Sequence, residues 1–458
     1  PTDKPISPIN YISTNRHHSK GGFQGEMSFR EVLFKGLAPD GGLYMPTSIP
    51  ILDEKEINEM KGLPYSEVAF RILKEFLAGT LSEDSLEAVC SRAYNFPVPI
   101  EKLDNETSVL FLDCGPTASF KDFSARFMAQ TMQELKEADD LVTILVATSG
   151  DTGSAVGEAF RAADGFRVFI LYPREEVSDI QQDQLERIGG NVSTLSIDGH
   201  FDDCQKLVKK AFLDPELAPL SLTSSNSINI GRILPQIVYY IYAYVNEDRD
   251  GKPSVFSVPS GNFGNSLGCE LARRMGLPVD RIIIAVNDND EFPKFLTSGD
   301  YMPLLPSKQC LSNAMNVGNP SNLARYFDLY DGHLLASGKV LKMPNLSAMR
   351  ENIWSASISD KETKLTIERT FSEHGTVLDP HGAVGLAALK TFREEGNECH
   401  TILLETAHPG KFPGTVSDAV GEKIELPQSL IETMARPKRV DKLTSRYKDF
   451  QLYLLEQS

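Results

Sequence analysis

The feature of this sequence that most constrains its fold is a repeated alternation of short apolar segments with helical segments, which starts near residue 106. Apolar runs of this length are typical of parallel strands that are buried on both faces, and the helices between them provide the cover. The sequence therefore predicts an α/β fold with mainly parallel sheets. The predicted strands are Leu141–Ala147, Val168–Tyr172, Asn191–Ile197, Ser254–Pro259, Arg281–Val286 and Thr401–Thr406.

Length and charge narrow the class of protein. The chain has 458 residues, enough for two to four domains. Its 63 acidic and 46 basic side chains give a formal net charge of −17, which offers no electrostatic surface for nucleic acid or anionic lipid. No apolar run approaches the roughly 20 residues of a transmembrane helix. We therefore expect no nucleic-acid partner and no membrane partner.

Cysteine and histidine spacing gives no sign of metal or acyl-transfer chemistry. The six cysteines are isolated and form no CxxC pair, so we expect neither a disulfide framework nor a metal site. The eight histidines include no HExxH spacing, and no GxSxG motif occurs. The first 28 residues are polar and lack the apolar segment of a secretory signal. These observations favour a cytoplasmic location.

Ligands of parallel α/β sheets bind beside the carboxyl ends of strands, so two strand-to-helix turns are candidate sites. The glycines of "PSGNFGN" (Pro259–Asn265) would let backbone N–H groups at a helix start bind an anion, or would simply allow close packing. This spacing matches neither GxxxxGK[ST] nor GxGxxG. The turn "ATSGDTGSAVG" (Ala147–Gly157) offers hydroxyl groups that suit a carboxylate or phosphate, or that cap the helix.

A third candidate is Lys121, at the start of the predicted helix in "GPTASFKDFSARFMAQTMQEL" (Gly115–Leu135). Phe120, Phe123 and Phe127 have the spacing of a core-facing helix. Partial burial and the positive end of the helix dipole would both lower the pKa of Lys121, as a Schiff-base lysine requires. The alternative is a surface lysine whose stem lies along apolar neighbours.

The fourth candidate is "SSNSINIGR" (Ser224–Arg232), which precedes the apolar segment "ILPQIVYYIYAY". Its polar side chains could cap a buried helix. Arg232 is also a natural partner for a substrate phosphate, because a guanidinium group matches phosphate geometry.

Eight segments resemble, in order, blocks of the bacterial and fungal threonine synthase family, and they span about residues 10–415. They are "NYISTNR", "GLAPDGGLYMP", "GPTASFKDFSARFMAQ", "TILVATSGDTGSAV", "NSINIGRILPQIVYY", "VPSGNFGN", "LSNAMNVGNPSN" and "TAHPGKFP".

The resemblance implies a pyridoxal-phosphate enzyme with the tryptophan synthase β-like fold (fold type II). Such a fold has two α/β domains with mainly parallel sheets, here with an N-terminal extension. The expected division is an N-terminal domain (1–100), a large cofactor-binding domain (101–140 and 236–425), a small α/β domain (141–235) and a C-terminal tail (426–458) that packs on the large domain.

The resemblance also implies roles for individual residues. Lys121 would attach pyridoxal 5'-phosphate covalently as a Schiff base and act as the catalytic base. The cofactor phosphate would be bound by Gly261, Asn262, Phe263, Gly264 and Asn265, and Thr406 would face the pyridine nitrogen. Expected substrate-binding residues are Ser149, Gly150, Asp151, Thr152, Asn226, Ser227 and Arg232, with Lys411 as a further candidate for the phosphate.

The implied reaction converts O-phospho-L-homoserine and water into L-threonine and phosphate by γ-elimination and β-hydration. A related phospho-lyase would instead release phosphate and 2-oxobutyrate, and a non-catalytic protein could use the same fold to bind a phosphorylated ligand. We expect a monomer or homodimer. Two positions depart from the family pattern: many relatives have His in place of Cys114, and some have Asp in place of Asn265. Cys114 could shuttle protons only if its pKa were lowered.

Overall fold

The computed structural model describes residues 7–247, 251–397 and 399–457, in which apolar runs form strands and the segments between them form helices. The strands are β1 Tyr11–Ser13, β2 Tyr44–Pro46, β3 Ile100–Lys102, β4 Thr107–Phe111, β5 Val142–Ala147, β6 Phe166–Pro173, β7 Val192–Asp198, β8 Leu222–Ser224, β9 Ser254–Pro259, β10 Val279–Val286, β11 His333–Leu334, β12 Val340–Lys342, β13 Ile353–Ser357, β14 Thr401–Glu405 and β15 Asp441–Thr444.

The α-helices lie between these strands, and α18 follows the last of them. They are α1 Phe29–Lys35, α2 Glu54–Asn58, α3 Tyr65–Leu77, α4 Glu83–Ala93, α5 Lys121–Leu135, α6 Asp151–Phe160, α7 Asp179–Glu186, α8 Phe201–Phe212, α9 Val238–Asn246, α10 Gly264–Arg274, α11 Glu291–Ser298, α12 Leu323–Leu329, α13 Leu346–Asn352, α14 Asp360–His374, α15 Pro380–Glu394, α16 Pro413–Val420, α17 Gln428–Met434 and α18 Tyr447–Glu456. Short 3₁₀ helices cover Pro215–Leu220, Ile230–Arg232, Leu234–Ile237, Asn313–Met315 and Pro409–Lys411.

Two larger sheets organise the molecule. The first has the order β15-β7-β6-β5-β8, with every pair parallel. The second has the order β13-β10-β9-β14-β4-β3, and only its edge strand β3 is antiparallel. The pairs β1–β2 and β11–β12 form small antiparallel sheets. The mainly parallel α/β fold predicted from the apolar runs is therefore confirmed.

The six predicted strands correspond to β5, β6, β7, β9, β10 and β14, with bounds that agree to within a few residues. Local capping explains where several helices begin: Ser178 and Ser359 each accept a hydrogen bond from the backbone three residues on, in reciprocal capping boxes. Helix α6 begins at Asp151, soon after β5 ends at Ala147. The loop after β5 is correspondingly short, which brings the helix start close to the strand end.

The C-terminal tail is where the expected division is wrong. We expected residues 426–458 to pack on the large domain, but β15 pairs with β7 at the edge of the five-stranded sheet. The physical reason is the apolar face of α18, whose Phe450 and Leu454 are buried in one cluster with Leu195 and Cys204. The other domain boundaries stay predictions.

Helices of the N-terminal hundred residues help to fix α5. Tyr65 and Tyr94 pack edge-on or tilted against Phe123 of α5, and the Tyr94 hydroxyl donates to the Phe123 carbonyl at 3.0 Å. These contacts join the N-terminal region to the main core and hold the helix whose first residue is Lys121. No helix of the described segments has both the length and the apolar character needed to span a bilayer.

Candidate active site

The carboxyl ends of strands from both sheets meet at one cavity of about 720 Å³, a volume that includes its opening to solvent. Thirteen of the fourteen predicted site residues line it. The exception is Gly150, whose N–H donates to Thr148 Oγ1 and whose φ of +133° suits glycine. The residues brought together are Lys121, Ser149, Asp151, Thr152, Asn226, Ser227, Arg232, Gly261, Asn262, Phe263, Gly264, Asn265 and Thr406.

Lys121 is held in the cavity wall by the turn that precedes it. The Phe120 N–H donates to the Thr406 carbonyl at 2.8 Å, which ties the start of α5 to the end of β14. Asp122 accepts hydrogen bonds from the N–H and hydroxyl of Thr117. Burial lowers the pKa of Lys121 to about 8, with Arg232 acting in the same direction and Asp151 opposing it. The amine is therefore available as a base or nucleophile near neutral pH.

The glycine turn after β9 lines the cavity with residues 261–265. Phe263 has a left-handed conformation (φ +63°), and its ring is buried edge-on against Phe292. The Asn265 Nδ2 donates to the Pro259 carbonyl at 2.8 Å, while its Oδ1 accepts the Ser266 N–H. Asn265 thus closes the turn with its side chain. An aspartate could not donate the first of these bonds.

Asn226 and Arg232 use much of their hydrogen-bonding capacity on the protein itself. The Asn226 amide makes two hydrogen bonds with the backbone of Ala147, so it fixes the end of β5. Arg232 donates through Nε to Ser124 Oγ and through Nη1 to the Ser225 carbonyl. Burial lowers the pKa of Arg232 to about 10, which leaves it a cation at neutral pH.

Lys411 does not line the cavity, in contrast to its suggested contact with a substrate phosphate. Its ammonium group donates instead to Asp151 Oδ1 at 2.7 Å and to the Thr117 carbonyl at 2.8 Å. Burial opposes ionisation of Asp151, but Lys411 and Lys121 more than offset it and hold the Asp151 pKa below its usual value.

His381 is a cavity residue that the sequence interpretation missed, together with Phe201, Gln236, Ala314 and Met315. A usable signal was present, because "DPHG" (379–382) places a capping Asp and a Pro at a helix start, directly before the histidine. The described residues hold no group of three His, Cys, Asp or Glu side chains suited to a metal ion.

A group of buried carboxyl groups lies behind the cavity. Glu405 Oε1 accepts the Asp379 N–H at 2.6 Å. Burial raises the pKa of Glu405 well above its usual value, and Asp379 and Asp113 add to the effect. Burial likewise raises the pKa of Asp113 to about 7. Burial and the neighbouring carboxyl groups therefore favour the protonated form of Glu405.

Cys114 does not have the lowered pKa that proton shuttling would require. Burial and the adjacent Asp113 carboxylate raise the pKa of its thiol to about 12. The group stays protonated, and it does not line the cavity.

The donor set suits a small ligand that carries both a carbonyl group and a phosphate. A lysine of lowered pKa can add to the carbonyl, and backbone N–H groups at the start of α10 can bind the phosphate. Thr406 also lines the cavity and adds a neutral hydroxyl group to this set of polar groups.

Comparisons with known proteins identify this ligand. A sequence profile for pyridoxal-phosphate dependent enzymes matches residues 95–404, and profiles for the threonine synthase N terminus and C-terminal region match residues 10–94 and 382–453. Threonine synthase from Serratia marcescens is 38% identical over 432 residues, covering 94% of this chain and 96% of the relative.

Solved structures agree. The crystal structure of threonine synthase from Escherichia coli has a TM-score of 0.88 at 36% identity and covers 98% of this chain and 100% of its own. The structure of PLP-bound threonine synthase from Brucella melitensis has a TM-score of 0.89 at 36% identity, with coverage of 98% and 99%. The chain therefore belongs to the threonine synthase family of pyridoxal-phosphate-dependent lyases, and it has threonine synthase function with pyridoxal phosphate as its cofactor.

Proposed function

We propose that the substrate is O-phospho-L-homoserine, which reacts with water to give L-threonine and phosphate. One observation carries the proposal: a single cavity contains a half-buried lysine of lowered pKa, a glycine turn at a helix start and a second cationic group, Arg232. Two anion-binding elements in one cavity fit a phosphorylated cofactor together with a phosphorylated substrate.

Lys121 would hold the cofactor, the backbone of the turn 261–265 would bind its phosphate, and Thr406 would face its ring nitrogen. When bound, pyridoxal phosphate stabilises negative charge that develops on the carbon skeleton of an amino acid. A neutral hydroxyl group beside the ring nitrogen leaves that nitrogen less protonated than a carboxylate would.

Lys121 is the proposed acid and base. With its pKa near 8, the freed amine can remove the proton from the substrate Cα and later return one there. A second deprotonation, at Cβ, allows the phosphate to leave from Cγ. A proton is then added at Cγ, which becomes the methyl group of threonine, and water adds its hydroxyl group at Cβ. The start of α5 is fixed by the bond from Phe120 to Thr406, which holds the backbone from which the lysine side chain extends.

Arg232 is the proposed partner of the substrate phosphate. Its Nε and Nη1 are already bound to Ser124 and Ser225, which fixes the plane of the guanidinium group. The hydroxyl groups of Ser149 and Thr152 would bind the substrate carboxylate. Asn226 would hold the end of β5 in position. Ser227 would be held in place by the hydrogen bond that its hydroxyl group accepts from Asn322 Nδ2.

The test combines spectroscopy with product analysis. Purified protein loaded with pyridoxal phosphate should show a visible absorption band that shifts on addition of O-phospho-L-homoserine, while threonine and phosphate form in equal amounts. The band should be lost in Lys121→Ala and kept in Lys55→Ala, a control at an exposed helix lysine. Phosphate with 2-oxobutyrate and no threonine would indicate the phospho-lyase reaction. A band that is unchanged in Lys121→Ala would overturn the assignment of this lysine.

We also propose a cytoplasmic location. All six cysteines are unpaired in the structure, as is usual in a reducing compartment. Fractionation of cells that express the chain, followed by immunoblotting, would test the location; recovery with an extracytoplasmic fraction would contradict it.

A further inference from the structure

A buried ion pair lies directly beside the cavity, between Lys411 and Asp151. The Lys411 Nζ is 2.7 Å from Asp151 Oδ1, and the two side chains are 0% and 3% exposed. Such a pair is costly to break, because removing one partner leaves an uncompensated charge in the interior. Asp151 lines the cavity whereas Lys411 does not, so the pair extends from the cavity wall into the protein.

The pair also joins the two sheets. Asp151 begins α6, directly after β5 of the five-stranded sheet, while Lys411 follows β14 of the six-stranded sheet. Further hydrogen bonds support both partners: Gln181 donates to Asp151 at 3.2 Å, and Ser178 donates to the Lys411 carbonyl at 2.8 Å. The Lys411 ammonium group also binds the Thr117 carbonyl, in the turn that leads to Lys121.

Several charged groups face these residues. The pKa of Lys121 is raised by Asp151 of α6. It is lowered by Lys411 and by Arg232, which lies in the 3₁₀ helix Ile230–Arg232. Both lysines, and His381 of α15, act to lower the pKa of Asp151. Lys411 also acts to lower the pKa of three further groups, Asp113, Asp122 and His408.

A lone carboxylate at Asp151 would have two unfavourable effects. It would repel an anionic substrate, and it would stabilise the ammonium form of Lys121, which is the form that cannot act as a base. Pairing with Lys411 counteracts both effects while Asp151 still accepts the hydrogen bond from Gln181.

We propose that Lys411 is a positioning residue for the reaction, which neutralises Asp151 and thereby sets the proton affinity of Lys121. The proposal rests on the proposed role of Lys121. It also changes the role expected for Asp151, from a direct substrate ligand to one half of a neutral pair.

The test measures the pKa of Lys121 in the full-length chain from which pyridoxal phosphate has been removed. Brief labelling with acetic anhydride at a series of pH values, followed by mass spectrometry of the Lys121 peptide, gives the fraction of unprotonated amine. We expect Lys411→Met to raise this pKa by about one unit or more, and Asp151→Asn to lower it by a similar amount. The double variant should return close to the wild-type value.

The opposite signs and the recovery in the double variant separate an electrostatic role from a structural one. A loss of packing would not shift the pKa up in one variant and down in the other. Lys294→Met is the matched control, because Lys294 forms an ion pair with Asp290 at an exposed position. It should leave the pKa of Lys121 unchanged.

Two results would overturn the inference: no shift in either single variant, or shifts of the same sign in both. If a single variant does not fold, the double variant is measured instead. A pKa of Lys121 in the double variant that differs from the wild-type value would also count against the proposed role of the pair. The visible band of the reloaded wild-type protein tests the proposed function separately. If that band does not depend on Lys121, the proposed function fails; if it does and the pKa values do not move, only this inference fails.

Discussion

Asp379 orients His381 so that the imidazole supports the wall of the active-site cavity. The His381 Nδ1 lies 2.5 Å from Asp379 Oδ2, and its Nε2 accepts the N–H of Ala314 at 3.1 Å. Because Nε2 is the acceptor, Nδ1 carries the proton and donates it to Asp379. Ala314 in turn lies against Gly261 of the glycine turn, so a chain of contacts runs from the interior to the proposed phosphate-binding site.

Replacing His381 by Ala should destabilise the protein by about 1–3 kcal/mol, because the Ala314 N–H and the Asp379 carboxylate both lose a buried partner. Urea unfolding measures the free energy, and titration with pyridoxal phosphate measures cofactor affinity, which should also fall. His374→Ala, at the exposed end of α14, is the control. Unchanged stability and affinity in His381→Ala would show that the wall does not depend on this bond.

Gly261→Ala should weaken cofactor binding. A Cβ at residue 261 would lie 2.6 Å from the Ala314 carbonyl oxygen, a backbone atom that cannot move without shifting the wall. We expect a loss of about 1–3 kcal/mol in cofactor binding. The dissociation constant for pyridoxal phosphate, measured from visible absorbance, checks this. Gly414→Ala has open space at its Cβ and should bind the cofactor as the wild type does; equal affinity in the two variants would contradict the prediction.

Asn265→Asp should destabilise the glycine turn. The carboxylate cannot donate to the Pro259 carbonyl, and it adds a negative charge beside the proposed cofactor phosphate. We expect a cost of about 1–3 kcal/mol in unfolding free energy and weaker binding of pyridoxal phosphate. The matched control is Asn345→Asp, where the side chain only accepts a hydrogen bond, from the Ala348 N–H. Wild-type values for Asn265→Asp would refute this account of the turn.

Asp113 should make the protein less stable as pH rises from about 4 to 7. Burial raises its pKa to about 7, so in this window the folded protein keeps a proton that the unfolded chain releases. The free energy of unfolding falls by at most about 1.4 kcal/mol per pH unit, and it stops falling above the pKa that Asp113 has in the folded protein. Asp113→Asn should flatten the dependence when unfolding is measured across pH.

The control for the Asp113 experiment is Asp139→Asn, at an exposed position. Glu405 contributes a slope of the same sign in both proteins, since its pKa is also raised, so only the difference between variants is diagnostic. An identical slope in wild type and Asp113→Asn would contradict the raised pKa.

Arg232→Lys should separate substrate binding from cofactor binding. A lysine cannot bind Ser124 and Ser225 and also present a second planar donor to a phosphate. We expect the visible band of the cofactor to remain and the KM for O-phospho-L-homoserine to rise about tenfold or more, the loss of one charge-assisted hydrogen bond. Steady-state kinetics checks this. A KM equal to the wild-type value would remove Arg232 from the proposed phosphate site.

Many of the strands and cavity residues could be predicted from patterns of neighbouring residues in the sequence. Apolar runs identify strands because the hydrophobic effect acts on neighbouring residues, and β9 has the predicted bounds. The residues of the cavity follow from a general rule about strand ends, together with the resemblance to a known family. The spacing of Phe123 and Phe127 predicts the helix that carries Lys121, but on these residues alone a surface lysine remained the alternative.

Contacts between distant residues were not predictable in this way. The pair of Lys411 and Asp151 joins residues 260 positions apart, and no local pattern marks either side chain as buried. Asn226 was expected to bind substrate, but its amide is used by the backbone of Ala147. Which polar groups remain for a ligand depends on how the other hydrogen bonds are satisfied, and that is a property of the folded chain.

The pairing of β15 with β7 has a consequence for how the chain is made. Strand β7 is complete once residue 198 has been synthesised, yet its outer edge stays uncovered until residues 441–444 follow. During synthesis the nascent chain must therefore carry an exposed strand edge, with apolar side chains that α18 later covers, for more than half of its length. Residues 441–444 complete the edge of this sheet, so we expect a chain that stops before them to be prone to aggregate.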